Sequence, residues 1–470
     1  MKKFDTAVQE LRYRVLKEIA KHLFEENLNE NLLDIPKAIV PGPKPSMRCC
    51  IYKERAIVEE RIKLALHTPR EDENVIQVIP IACDECPLGG YTVSDACRGC
   101  IAHRCYSACP KKCISFDSSL RAHIDKENCL NCGLCAKNCP YSAIENRIRP
   151  CERACQQKAI SPSEDGSAFI NDNKCIQCGA CVYTCPFGAI VDVSSIKEVI
   201  KDLQNKEDCV AVVAPSIGGN FAGYKTGQIV SAIKALGFKN VVEAGLGADI
   251  VAIEESKELE EKGLLLSSCC PSFVNFVNKY YPTLSDKVSK TLSPMASISK
   301  LIKENEPNAK VIFIGPCTSK KDEIKRDNVK DYVDIVITFE ELQALIDAKN
   351  IDISKLEVSE MDNASQFGRG FAQCGGLASA VKEALKERGS KFEVRALSCD
   401  GIVECKKALQ NLANGDNTYN FIEGMACVGG CIGGPCNLTH EIKDKINVNK
   451  FSKEGKVSIN EALKGSKIIK

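Results

Sequence analysis

Apolar and polar positions follow three different patterns along this 470-residue chain. Near the N-terminus Val8, Leu11, Val15, Ile19 and Leu23 recur at intervals of three or four with polar residues between them, which predicts an amphipathic helix. The segment Val40–Ser46, VPGPKPS, is a proline-punctuated turn between two helical stretches. From about residue 208 short unbroken apolar runs take over: Cys209–Pro215, Ala309–Pro316 and Val333–Thr338 read as buried strands. They alternate with helical patterns such as TGQIVSAIKALGF and FEELQALIDAKN, an order that predicts α/β layers with parallel strands. Val193–Asp208 reads as a helix leading into that region. Residues 83–207 fit neither pattern and are rich in cysteine. The chain thus divides into a helical segment at 1–82, a cysteine-rich domain at 83–207 and an α/β domain at 208–470.

Composition narrows the classes. The net charge is +1, so bulk charge points to no nucleic-acid or membrane surface. No apolar run approaches the roughly 18 residues of a membrane span. The basic N-terminus lacks the apolar core of an export signal, and the expected location is the cytoplasm.

Cysteine changes the picture, with 29 residues, 17 of them between 83 and 188. In a long chain without an export signal, clustered cysteines point to metal or cluster ligation rather than disulfides. CLNCGLCAKNCP supplies Cys129, Cys132, Cys135 and Cys139, and CIQCGACVYTCP supplies Cys175, Cys178, Cys181 and Cys185. Both follow C-x2-C-x2-C-x3-C-P, in which three thiolates grip one [4Fe–4S] cubane and the fourth reaches the neighbouring one. The spacing therefore predicts one cluster on Cys129, Cys132, Cys135 and Cys185, and another on Cys175, Cys178, Cys181 and Cys139. Zinc sites, the alternative, use paired C-x2-C arms with a longer gap between them. A stretched run offers Cys97, Cys100, Cys105, Cys109 and Cys113, and CERACQQKAI offers Cys151 and Cys155. A third cubane is expected on Cys97, Cys100, Cys105 and Cys155, and a fourth could draw on Cys83, Cys86, Cys109, Cys113 and Cys151. Clusters in series form an electron wire, which implies a site that consumes electrons.

Three separated motifs in the α/β region provide such a site. They are SSCCPSF with Cys269 and Cys270, GPCTSKKDE with Pro316, Cys317, Lys320 and Glu323, and EGMACVGGCIGGP with Met425, Cys427 and Cys431. In order and approximate spacing they resemble the signature of the [FeFe]-hydrogenases, T-S-C-C-P-x-W, M-P-C-x-x-K-x-x-E and M-A-C-x-x-G-C. The resemblance runs from about residue 125 to the C-terminus. It implies a two-lobed catalytic domain of twisted parallel sheets flanked by helices, preceded by an α+β bacterial-ferredoxin-like domain and the helical N-terminal segment.

The resemblance also implies an H-cluster, a [4Fe–4S] cubane joined by a thiolate to a di-iron unit carrying CO, cyanide and a dithiolate. Cys270, Cys317, Cys427 and Cys431 would hold the cubane, with Cys431 as the bridge. Cys269 would relay protons, a task suited to a thiol. Lys320 would hydrogen-bond a cyanide, and Pro215, Ser216, Pro316 and Met425 would line the di-iron unit. Glu258, Ser289, Glu255 and Glu323 would form a proton route. The implied reaction is reversible H2 formation from protons and electrons, with a ferredoxin-like electron carrier and maturation proteins as partners. Lys320 and Glu323, one helical turn apart, could instead be a solvated pair, and Glu255 and Glu258 could belong to a surface helix. Cys209, Cys374, Cys399, Cys405 and Cys436 lack ligand spacing and read as packing cysteines.

The sequence departs from the signature at Ser267 for Thr, Phe273 for Trp and Gly315 for Met, with Met295 where the family usually has Gln. One thioether is lost and one gained, a possible exchange of packing around the same cofactor. These changes resemble a variant group of the family with additional N-terminal cysteine motifs. Two other functions share parts of the pattern: hydrogenase-like iron–sulfur assembly proteins that keep the cubane cysteines but carry no di-iron unit, and sensors of H2 or redox state.

Overall fold

A computed structural model describes residues 3–66, 74–84, 86, 89–221, 223–361 and 363–466. The N-terminal stripe forms the helix Ala7–Phe24, capped by Thr6, whose hydroxyl accepts from the Gln9 amide at 3.1 Å. Leu11, Val15 and Ile19 are buried, whereas Val8 and Leu23 are half-buried at the edge of the contact. The helix packs on Phe339–Ala348 of the α/β region and on Ile196–Gln204. Arg12 fixes that position, with Nη2 2.7 Å from Asp192 and 2.9 Å from Glu340.

The cysteine-rich region is built from short strand pairs around short helices. Ile76–Val78 pairs antiparallel with Ile190–Asp192. A strand before residue 82 thus pairs with the last strand of the cysteine-rich region. Between them lie the hairpin Ile160–Pro162/Ala168–Ile170 and a second closed set. In that set Gly90–Val93 pairs with Ile144–Arg147 around the hairpin Ile114–Phe116/Ala122–Ile124.

The α/β region contains two separate parallel sheets, each flanked by helices, as expected. One has the order Asn240–Glu243, Cys209–Val213, Lys310–Gly315, Ile335–Thr338. The other has the order Leu265–Leu266, Phe421–Met425, Ala396–Asp400. Cys209–Val213 and Phe421–Met425 lie inside their sheets and are buried along their whole lengths, which explains their continuous apolar character. The long helix Ala244–Lys262 follows one sheet and packs on Pro294–Asn305 and Gly376–Glu387. No described helix is long and apolar enough to cross a membrane.

Candidate functional site

The two sheets bring the carboxyl ends of their strands to one cavity, the usual location of sites in parallel sheets. Pro215 follows the strand ending at Val213, and Pro316 and Cys317 follow the strand ending at Gly315. Cys269 and Cys270 follow Leu266 closely, and Cys427 follows Met425. All of these, with Cys431 and Lys320, line about 850 Å³ of atom-free space. Ser216 is buried beside Pro215 with a hydroxyl that has no partner.

Four of the thiols form one electrostatic group. Burial raises the pKa of Cys270, Cys427 and Cys431, and proximity to Cys317 adds to the rise. Cys431 reaches about 12. Four thiolates here would repel one another without a cation, and a polynuclear iron centre supplies that charge. No three His, Cys, Asp or Glu side chains among the described residues are placed to hold a single metal ion.

Lys320 and Glu323 are not a solvated pair. Lys320 Nζ donates to Glu323 Oε2 at 2.6 Å and to Ser293 Oγ at 2.9 Å, and all three residues are buried. An ammonium at the wall of an otherwise apolar cavity suits an anionic ligand there.

Glu258 and Ser289 are hydrogen-bonded, and Glu255 lies near both Ser289 and Cys269. Lys262 Nζ donates to Glu258 Oε1 at 2.7 Å, and the Ser289 hydroxyl donates to Glu258 Oε2 at 2.7 Å. Burial works against the Glu258 carboxylate, but Lys262, Ser289 and the Lys290 amide prevail and hold its pKa below the ordinary value. Glu255 accepts from the Ser268 amide and hydroxyl, both at 3.0 Å, and lies near Ser289, while its Oε2 has no hydrogen-bond partner among the described residues. It is fully buried, and desolvation raises its pKa to about 7. Burial, then the charge of Glu255, raises the Cys269 thiol well above its usual value. Glu254, Lys257 and Glu260 cover the exposed face of the same helix, so an acidic surface helix also describes part of this segment. Among the described residues Glu323 hydrogen-bonds Lys320 and has no hydrogen bond to Glu258, Ser289 or Glu255.

The accessory cysteines are regrouped relative to their spacing. Cys105 interacts with Cys100 and Cys139, so Cys139 joins the stretched run and not Cys175, Cys178 and Cys181. Cys109 lines a pocket with Cys129, Cys132 and Cys135, the place expected for Cys185. Cys155 interacts with Cys175, Cys178 and Cys181 instead of the Cys97 run. Cys185 sits among Cys83, Cys86 and Cys151. The physical reason is that each strand-closed unit pairs the two runs it contains, and the first clean run lies in a different unit from the second. Cys178 also lines the large cavity and lies near Cys270 and Cys427, which brings the accessory thiols up to the site.

Met295 lines the cavity, while a Cβ at Gly315 would lie 2.7 Å from the Phe313 ring. Phe313 also lines the cavity, so the lost side chain at 315 is replaced by a neighbouring ring. Sequence reasoning missed Ser293 and Ser268, the partners of Lys320 and Glu255. The Ser-Pro of LSP, an N-cap before a helix, marks Ser293. Nothing local marks Ser268. The free thiols of Cys405 and Cys399 are hydrogen-bonded to each other, and both are buried, as packing cysteines would be.

Comparison with known proteins agrees with this geometry. Residues 207–435 match the family described as iron only hydrogenase large subunit, C-terminal domain. Residues 96–143 match a 4Fe-4S dicluster domain and residues 168–191 a 4Fe-4S binding domain. By the first match residues 207–435 are similar to the C-terminal domain of the [FeFe]-hydrogenases. Iron hydrogenase 1 of Clostridium pasteurianum is 30% identical over 276 residues, covering 48% of each chain. The cytosolic Fe-S cluster assembly factor NAR1 of Kluyveromyces lactis is 34% identical over 108 residues, covering 23% of each chain. An apo [FeFe]-hydrogenase structure from Chlamydomonas reinhardtii superposes with a TM-score of 0.47 at 21% identity, over 57% of this chain and 89% of that one. The chain spans about half the length of the first curated hydrogenases it matches, 48% and 52%.

Proposed function

We propose that this protein is a working [FeFe]-hydrogenase that interconverts protons, electrons and H2 at an H-cluster in the cavity between its two sheets. One observation carries the reading. The cavity is lined by the four cubane thiols and also by Cys269, Lys320, Pro215 and Met425, which a cubane alone does not require. When bound, the H-cluster supplies the redox chemistry and the site of H2 formation or cleavage.

The chain's own residues do the rest. Cys270, Cys317, Cys427 and Cys431 would hold the cubane. Lys320 is held by Ser293 and Glu323, which aim its charge at an anionic ligand. Pro215, Pro316, Met425 and Met295 keep water from the site. Protons enter at Glu258 and pass through the Ser289 hydroxyl to Glu255, then to Cys269. A hydroxyl can accept one proton while donating another, so Ser289 suits a position between two carboxyls. Accessory clusters held by the cysteine-rich domain would supply the electron path from a ferredoxin-like carrier. The proposed location is the cytoplasm, and the di-iron unit requires maturation proteins.

The family also contains relatives named as assembly factors, which supports a second reading as a cluster carrier or scaffold. Infrared spectroscopy on protein expressed with a maturation system separates the two. CO and cyanide bands together with H2 evolution support the hydrogenase, and an iron-loaded chain without those bands is the scaffold.

A further inference from the structure

We propose that Cys83, Cys86, Cys151 and Cys185 hold a further [4Fe–4S] cluster, in a two-cluster ferredoxin unit that has a second two-cluster unit inserted within its first ligand run. The inference rests on the accessory-cluster part of the reading above and not on its hydrogen chemistry.

The backbone repeats one device four times. The short helices Arg104–Ala108, Leu134–Lys137, Pro150–Ala154 and Ala180–Thr184 are followed within two residues by Cys109, Cys139, Cys155 and Cys185. Three residues beyond each of these cysteines the chain enters the left-handed region, at Lys112, Ser142, Lys158 and Gly188, with φ of 52°, 49°, 49° and 59°. The amide of each returns to the carbonyl of its cysteine at 3.0–3.3 Å. A short strand follows each time. At Cys155 and Cys185 the amide four residues on also donates to the sulfur, at 3.3 and 3.2 Å. CERACQQKAI is therefore the second half of a ligand run, with Cys151 in the third place and Cys155 in the fourth.

Its first half is the C-x2-C of Cys83 and Cys86, interrupted by the inserted unit. The insertion is compatible with the fold because its ends lie side by side, Gly90 paired with Arg147. The outer unit closes in the same way, Ile76 paired with Asp192. The exchange rule of two-run ferredoxins then sends Cys155 to the Cys175 run and Cys185 to Cys83, Cys86 and Cys151. The thiols follow it: Cys151 interacts with Cys185 and Cys83, and Cys86 with both.

A second observation points to an anion at this place. Arg61 is buried, and its Nη2 donates to the Gly188 carbonyl at 2.6 Å. Its Nε and Nη1 have no partner, although Cys185 lies close enough to interact with its charge. A buried guanidinium left this way is costly unless an anion faces it. A cubane with four thiolates is such an anion. Arg48 on the same N-terminal segment also interacts with Cys86. The helical segment before residue 76 thus acquires a role, covering and charging this cluster.

The test is iron and acid-labile sulfide per chain on the full-length protein with its cubanes reconstituted. Five cubanes correspond to about 20 irons, and loss of one to about 4. Cys83→Ala and Cys185→Ala should each lose about 4 irons, and the double variant no more than either. Cys185→Ala combined with Cys129→Ala should lose about 8, because those two serve different clusters. No loss in Cys83→Ala, or additive loss in the Cys83/Cys185 pair, overturns the proposal. Should the alanine variants shed every cluster, Cys86→Ser keeps an oxygen donor and should alter the electron paramagnetic resonance signal of one reduced cluster. An unchanged set of signals overturns it. Arg61→Gln should lower the midpoint potential of one cluster, because removing a cation disfavours the more negative reduced state, and no shift at any cluster overturns the site. The iron pattern without CO and cyanide bands would uphold this site while removing the hydrogenase reading.

Discussion

Lys320 Nζ lies 2.6 Å from Glu323 Oε2, a buried ion pair at the wall of the thiol-lined cavity. Removing one partner strands the other. Lys320→Met should destabilise the chain by roughly 3 kcal/mol, and Lys320→Met with Glu323→Leu should recover most of that. Thermal unfolding of the three proteins measures it. Turnover should stay low in the double variant, because the charge facing the cofactor is absent. A double variant with normal H2 evolution would leave Lys320 a purely structural role.

Cys269→Ala should reduce H2 evolution by roughly a hundredfold or more, the usual scale for losing a positioned proton donor. Iron content should stay at the wild-type value, since the four cubane thiols remain. Normal turnover would remove Cys269 from the proton route.

Glu255 should make stability depend on pH. Its folded pKa, about 7, lies above the ordinary 4.5, so folding favours the protonated form. The stability this gives is complete below pH 4.5 and lost as pH rises through 7, to an extent on the order of 3 kcal/mol. Glu255→Gln is uncharged at every pH, so its melting temperature relative to wild type should rise between pH 5 and pH 8. Equal differences at both pH values would contradict the desolvated carboxyl. The same variant should evolve H2 slowly if Glu255 carries protons to Cys269.

Phe273, where the family usually has Trp, packs against Gly424, where an added Cβ would lie 2.2 Å from the ring. Gly424→Ala should cost about 1–3 kcal/mol through overpacking. Phe273→Leu should partly rescue it. Thermal melts of the single and double variants measure the coupling, and purely additive losses would show that the ring is not the obstacle.

The α/β layering was legible in the sequence because buried parallel strands must be continuously apolar, as in Cys209–Val213 and Lys310–Gly315. The separated motifs around Cys270, Cys317, Cys427 and Cys431 were legible only through their resemblance to the [FeFe]-hydrogenase signature, since no local spacing links them. The partners of the accessory cysteines were not. Spacing within a run determines which thiols share a loop, but the fourth thiol is exchanged between runs. Which runs are neighbours depends on strand closure, Ile76 on Asp192 and Gly90 on Arg147, between residues far apart in sequence. For the same reason a solvated pair stayed open as the alternative for Lys320. Its helical spacing to Glu323 was readable, but its burial and its bond to Ser293 exist only once two distant segments pack together. The sequence by itself determined the chemistry this protein can hold. The tertiary structure decided which of its sulfurs and charges meet, because neither burial nor long-range pairing is a local property of the chain.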